Sequence, residues 1–215
     1  MQNIVIFGDN PIAHMLYEDI LRHSSNLFNV VAFTVDESYK KSEEFCGKPL
    51  ISFQEIEYLF PPTEYAIIST VDAPNKMKSK IDVYKRLKEK NYTTPNYISP
   101  LADVSSSVRM GENNLIMAYS CLGADGIMGN ANFIRQNSYI GHDFKIGNGS
   151  TISPGCSIAG LCEIGDSCYI GIGATIIGDV KISEGSFIGA GAVIIKNTDP
   201  HMKYVGNPAK PIIKS

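Results

Sequence analysis

Four histidines occur in the 215 residues, at positions 14, 23, 142 and 201, and only His142 lies inside a run of regular repeats, directly before Asp143. An imidazole titrates near neutrality, and a neighbouring carboxylate can set its tautomer and basicity, so this pair is a candidate general base. The alternative is a solvated surface pair without a reaction to serve. Three of the five cysteines, Cys156, Cys162 and Cys168, are spaced by six, which matches no zinc-ligand pattern. Near the N-terminus, Gly8-Asp9-Asn10-Pro11-Ile12-Ala13 is not a GxGxxG loop, so it gives little support to a dinucleotide cofactor. A loop between a first strand and its helix can still hold a phosphate against the helix N-terminus.

The elements that would carry His142 are written in isoleucine. Ile134, Ile140, Ile146, Ile152, Ile158, Ile164, Ile170, Ile176, Ile182, Ile188 and Ile194 keep an interval of six, and Val104, Met110, Ile116, Leu122 and Met128 extend the register upstream. Two places before many of these stands a small residue: Ser138, Ser150, Cys156, Cys162, Cys168, Ala174, Ser186 and Ala192. No helix has a period of six, whereas a coil of short strands and turns does, and within a strand positions i−2 and i share a face. Both therefore point inward, large beside small, and the three cysteines are packing residues. His142, two places after Ile140, falls at a corner and turns outward.

The first half has a different rhythm. Ile4 to Phe7 reads as a strand closed by Gly8, Pro11 to Arg22 as a helix, and Val30 to Val35 as a second buried strand with Asp36 at its end. A short helix over Phe53 to Phe60, a strand over Tyr65 to Ser69 and a helix over Asn75 to Lys90 complete an alternation that implies a parallel sheet. The boundary falls near Pro95 to Pro100, giving an α/β domain over 1–98 and a coiled domain over 99–215.

Composition is that of a globular protein, 44% hydrophobic and 19% charged. A net charge of −3 leaves no basic surplus to neutralise a nucleic acid backbone. No apolar run reaches the roughly 18 residues of a membrane span, and no basic leader precedes the run Asn3 to Gly8, so a cytoplasmic location is expected.

With these motifs in view, the chain resembles the hexapeptide-repeat acyltransferases, and the α/β half narrows the resemblance to the NeuD/PglD type of sugar acetyltransferase. It is strongest from Asn132 onward and in Ile4 to Gly8, Phe33 to Asp36 and Ile98 to Ala102. The segment Val205 to Lys210 is similar to the closing motif of members that bind acetyl-CoA. The resemblance implies a Rossmann-like nucleotide-sugar-binding domain followed by a left-handed parallel β-helix with eighteen residues per coil; the handedness comes from the family alone. It implies acetyl-CoA as cosubstrate without a metal, a nucleotide-linked amino sugar as acceptor, and a homotrimer with active sites at seams between neighbouring β-helices.

By the same resemblance His142 takes a proton from the acceptor, Asp143 orients it, and the Gly160 N–H, eighteen residues on, serves the oxyanion. Cofactor contacts are implied at Gly160, Gly173, Ala174, Ala190, Lys196, Pro208 and Lys210. Many relatives carry a second histidine nine residues after the first, where it helps hold acetyl-CoA; Thr151 stands in that place here. For the nucleotide, the matching positions are Gly8, Asn10 and Asp36. O-acetylation of a sialic acid or another glycan hydroxyl would use the same machinery and differ only in the acceptor pocket. A metal-dependent hydratase on this helix needs three converging histidines, against one in these repeats, and a non-catalytic trimerising scaffold needs none.

Overall fold

A computed structural model of the chain describes residues 1–72 and 78–212. It divides into two compact units, Met1–Ala73 with Asp82–Pro95, and Pro74–Ile81 with Asn96–Ser215.

In the first unit, β1 (Gln2–Phe7), α1 (Pro11–His23), β2 (Phe28–Val35), β3 (Glu44–Phe45), β4 (Lys48–Ser52), α2 (Ile56–Leu59) and β5 (Ala66–Ser69) follow in order. The sheet runs β3-β4-β2-β1-β5, parallel except for β3. Its centre is apolar on both faces, with Ile4, Val5 and Ile6 fully buried, as a parallel sheet covered on both sides requires. α1 starts at Pro11, whose missing N–H costs nothing in a first turn, and it buries Ala13, Leu16, Tyr17 and Ile20 at helical spacing. The expected helix over Phe53 to Phe60 shrinks to the single turn of α2. α3 (Lys78–Glu89) is the second long helix, and residues 75–77 of the expected span lie outside the described residues. β4 has no counterpart in the sequence reading, because Pro49 interrupts its short run. The β3-β4 hairpin turns on Cys46 (φ 51°) and Gly47 (φ 68°), two left-handed residues that match the twist of the flanking strands.

The second unit is a parallel β-helix. Two-residue strands recur every six residues and stack on the strand eighteen residues away, as Ile140 does on Ile158 and Ile158 on Ile176. The result is three sheets, of six, five and eight strands, all parallel except for the last pair of the eight-stranded sheet, where Lys203–Val205 meets Lys210–Pro211 antiparallel. The coil begins earlier than Val104: Tyr97–Ile98 pairs with Leu115–Ile116, which is why the first unit ends at Pro95. From Ile134 to Ile194 the inward isoleucines are 0 to 4% exposed, each contributing on the order of 1.5–3 kcal/mol.

The small inward residues have a second task. Ser138 donates to the Ser153 carbonyl (3.0 Å) and Ser150 to that of Gly165 (2.9 Å), each fifteen residues on. Cys156, Cys162 and Cys168 donate in the same way to the carbonyls of Gly171, Ile177 and Ser183 at 3.1 to 3.2 Å. Serine and cysteine thus fill the position because they satisfy a corner carbonyl inside the prism. No helix among the described residues is long and apolar enough to cross a membrane.

Candidate active site

His142 and Asp143 form the corner after the strand Tyr139–Ile140. Asp143 is left-handed (φ 53°), a conformation aspartate tolerates better than most residues. The adjoining coils fix the backbone: the Asp143 N–H donates to Ala124 O (2.8 Å), and His142 O accepts from the Leu161 N–H (2.9 Å). Both side chains are exposed, by 63% and 52%, so the imidazole points outward as the repeat register requires.

His142 Nδ1 lies 2.7 Å from Asp143 Oδ2. An ionised carboxylate can only accept, so Nδ1 is the donor of this pair, and in the neutral ring that leaves the lone pair on Nε2. Beneath the ring lies Gly160, where a Cβ would stand 2.7 Å from Nε2. Its carbonyl accepts from the Asp179 N–H (3.1 Å), whereas its own N–H donates to no group among the described residues. A basic nitrogen and a free backbone donor therefore share one corner of the helix.

The expected cofactor positions separate into groups. Lys196 occupies the same column as His142 and Gly160, three coils or about 14 Å along the axis from His142, and is exposed. Gly173 and Ala190 lie at the corner that follows the eight-stranded sheet. At Gly173, and at Gly155 and Gly191 in its column, φ is 64 to 70° and nothing lies within 4 Å of where a Cβ would be. Pro208 and Lys210 are exposed near the C-terminal end.

Two of the expected positions are buried in this chain. Ala174 is an inward core residue, 0% exposed, whose N–H donates to Gly171 O (3.1 Å) and whose carbonyl accepts from the Ser157 N–H (2.9 Å). Thr151 is also 0% exposed, and its hydroxyl accepts from Lys80 Nζ (2.8 Å), which also reaches Ser150 O (3.2 Å). Lys80 belongs to α3, far away in sequence, and nothing in the repeat pattern indicates it.

In the first unit, Asn10 is the N-cap of α1, its Oδ1 accepting from the N–H groups of Ile12 (2.9 Å) and Ala13 (3.0 Å). It fills the helix N-terminus that a phosphate was expected to use. Gly8 (φ 136°) is required by the approach of Thr70, whose Oγ1 would lie 2.3 Å from a Cβ. Asp36 is held by a two-pronged pair with Arg86, whose side chain bonds both carboxylate oxygens. That pairing holds the carboxyl below its ordinary range. Arg86 carries no signal in the sequence, being one of several cations on a polar helix.

A thiol nucleophile does not fit. Burial pushes the Cys156 and Cys168 thiols up to about 11 and raises that of Cys162, so none is a ready thiolate. Among the described residues no group of three His, Cys, Asp or Glu side chains could hold a metal ion.

The family model of the bacterial transferase hexapeptide (six repeats) matches residues 125–160 and again 161–196. No curated protein matches the chain by sequence. Among solved structures, the acetyltransferase domain of PglB from Neisseria gonorrhoeae FA1090 superposes with a TM-score of 0.88 at 22% identity, covering 99% of this chain and 100% of that one. PerB from Caulobacter crescentus, solved with CoA and GDP-perosamine, gives 0.88 at 22% identity over 99% of this chain and 98% of that one. WeeI from Acinetobacter baumannii AYE gives 0.80 at 22% identity over 99% and 100%. The chain thus has the fold of these proteins over its full length, an α/β unit followed by a left-handed β-helix of transferase hexapeptide repeats.

Proposed function

We propose that the protein is a sugar N-acetyltransferase of the NeuD/PglD type, moving an acetyl group directly from acetyl-CoA to the amino group of a nucleotide-linked amino sugar. The observation that carries this reading is the tether of His142 Nδ1 to Asp143 at 2.7 Å, with the ring laid over Gly160. His142 Nε2 takes a proton from the sugar amine as its nitrogen bonds the thioester carbon. The Gly160 N–H donates to the carbonyl oxygen while it carries negative charge, and Asp143 stabilises the imidazolium. When the C–S bond breaks, His142 returns the proton to the departing sulfur, leaving an amide and free CoA. No covalent acyl-enzyme is needed, in keeping with thiols that are buried and bonded to carbonyls.

The residues present fit acetyl-CoA. The open column Gly155, Gly173 and Gly191 leaves room along the coils for an extended arm, and Lys196 and Lys210 offer cations for its phosphates. The PglB domain has also been solved with acetyl coenzyme A, and PerB with a nucleotide-linked sugar. Asp36, at the C-terminal edge of the parallel sheet, accepts hydrogen bonds from the nucleotide; ligands of such sheets bind at that edge. Exposed Tyr139, Ile172 and Ile177, on or beside the six-stranded sheet, support association as a homotrimer, and a cytoplasmic enzyme would meet both substrates. The test is CoA release with UDP-, dTDP- and GDP-linked amino sugars. Turnover with one of them is expected, and no turnover with any amine would remove the N-transfer reading.

A further inference from the structure

We infer that Arg86 is a positioning residue for the nucleotide, acting through Asp36; the inference rests on the reading that Asp36 contacts that ligand. Asp36 directly follows β2 on the edge of the sheet where a ligand would lie, and a lone carboxylate there would rotate freely. Arg86 prevents this. Its Nη1 donates to Oδ2 at 2.9 Å and its Nη2 to Oδ1, the planar fork-to-fork arrangement that fixes direction as well as distance.

The fork is itself anchored. The guanidinium lies over the Phe53 ring, 4.8 Å from its centroid, and Phe53 is 2% exposed and packs edge-on against Phe7 at 5.0 Å. From the other side, Gln54 Nε2 approaches Asp36 Oδ1 at 3.5 Å, while Gln54 Oε1 accepts from Ser52 Oγ (2.9 Å) and from the Glu37 N–H (3.1 Å). A rigid chain of contacts therefore runs from the β1 core through Phe53 and Arg86 to the carboxylate. With Gln54 on Oδ1, the acceptor site that neither Arg86 nor Gln54 uses is the second one on Oδ2, and the fork aims it. An acceptor held in this way suits N–H or O–H donors of a base or ribose, and repels phosphate.

The experiment is calorimetric titration of the full chain with UDP, GDP and dTDP, repeated on Arg86→Gln, Arg86→Lys and Asp36→Asn. For whichever nucleotide binds, Arg86→Gln should weaken binding roughly ten- to a hundredfold, with Asp36→Asn similar and the double variant no worse. Arg86→Lys should recover only part, since an ammonium cannot span both oxygens. With the nucleotide sugar, KM should rise while kcat and the KM for acetyl-CoA stay unchanged. Arg86→Gln binding like the wild type, whatever its melting temperature, would overturn the inference alone, as would tighter binding. A wild-type protein that binds none of the three removes the nucleotide reading and this inference with it.

Discussion

The imidazole of His142 lies across Gly160, one coil further on, so close that a Cβ at Gly160 would stand 2.7 Å from Nε2 and 2.9 Å from both Cδ2 and Cε1. Contacts under 3.0 Å require a shift, and the exposed ring can make it only by swinging away from Gly160. Gly160→Ala should therefore displace the base and crowd the N–H beside it. A kcat reduced by ~10²–10³, with the melting temperature little changed, is the expected result. An alanine variant with wild-type kcat would mean that neither ring position nor Gly160 N–H matters to the reaction.

His142 and Asp143 act as one unit, and their variants should say so. His142→Ala should lower kcat by ~10²–10⁴. Asp143→Asn changes the charge that fixes the Nδ1 proton and should lower kcat less, without further loss in the double variant. Steady-state rates of the two single variants and the double variant decide this; full additivity would separate the two residues.

What the sequence revealed and what it concealed follow from the range of the forces involved. The prism is a local pattern repeated, so the isoleucine interval and the outward turn of His142 could be read from spacing alone. Gly160 followed once the coil length was known. The contact of Thr151 with Lys80, some seventy residues earlier, lies outside the repeat pattern, and a small residue such as Ala174 looks the same in a turn-rich repeat whether it faces ligand or core. Asn10 is a common N-cap type placed directly before Pro11, and that pairing marks the helix start within the sequence itself. Arg86 and Gln54 reach Asp36 only through the folding of the sheet, and no pattern within one chain marks such a pair.

The two faces of the repeat predict opposite tolerance to the same change. Ile158 is 0% exposed in the middle of the inward row, whereas Ile127 is an outward strand residue, 42% exposed. Ile158→Asp places a carboxylate where no partner can reach it, at a cost of several kcal/mol that the fold cannot absorb. Ile127→Asp should leave the melting temperature within a few degrees of wild type. Soluble yield and thermal unfolding of the two variants make the comparison; equal damage would mean that the inward and outward rows are misassigned.

The buried thiols make a prediction about base. Cys156 and Cys168 are pushed up to about 11 from 9.0, with burial as the main cause. In the unfolded chain they lose their protons near 9.0, while the folded chain keeps them until about 11. Between those values the native state binds more protons than the unfolded one, so stability is intact below pH 9 and falls as pH rises through the window, by about 1.4 kcal/mol per pH unit for each thiol. Tyr92, raised from 10.0 to about 12 by its burial, adds a loss of the same sign at slightly higher pH. Alanine already fills the equivalent inward position at 174 and 192, so Cys156→Ala with Cys168→Ala keeps the shape of the rungs and removes the titrating groups. Urea unfolding under reducing conditions should show the wild type losing stability between pH 9 and 11 more steeply than the double variant. Parallel curves would mean that these thiols do not keep their protons in the folded interior, and that their burial is looser than the packed prism requires.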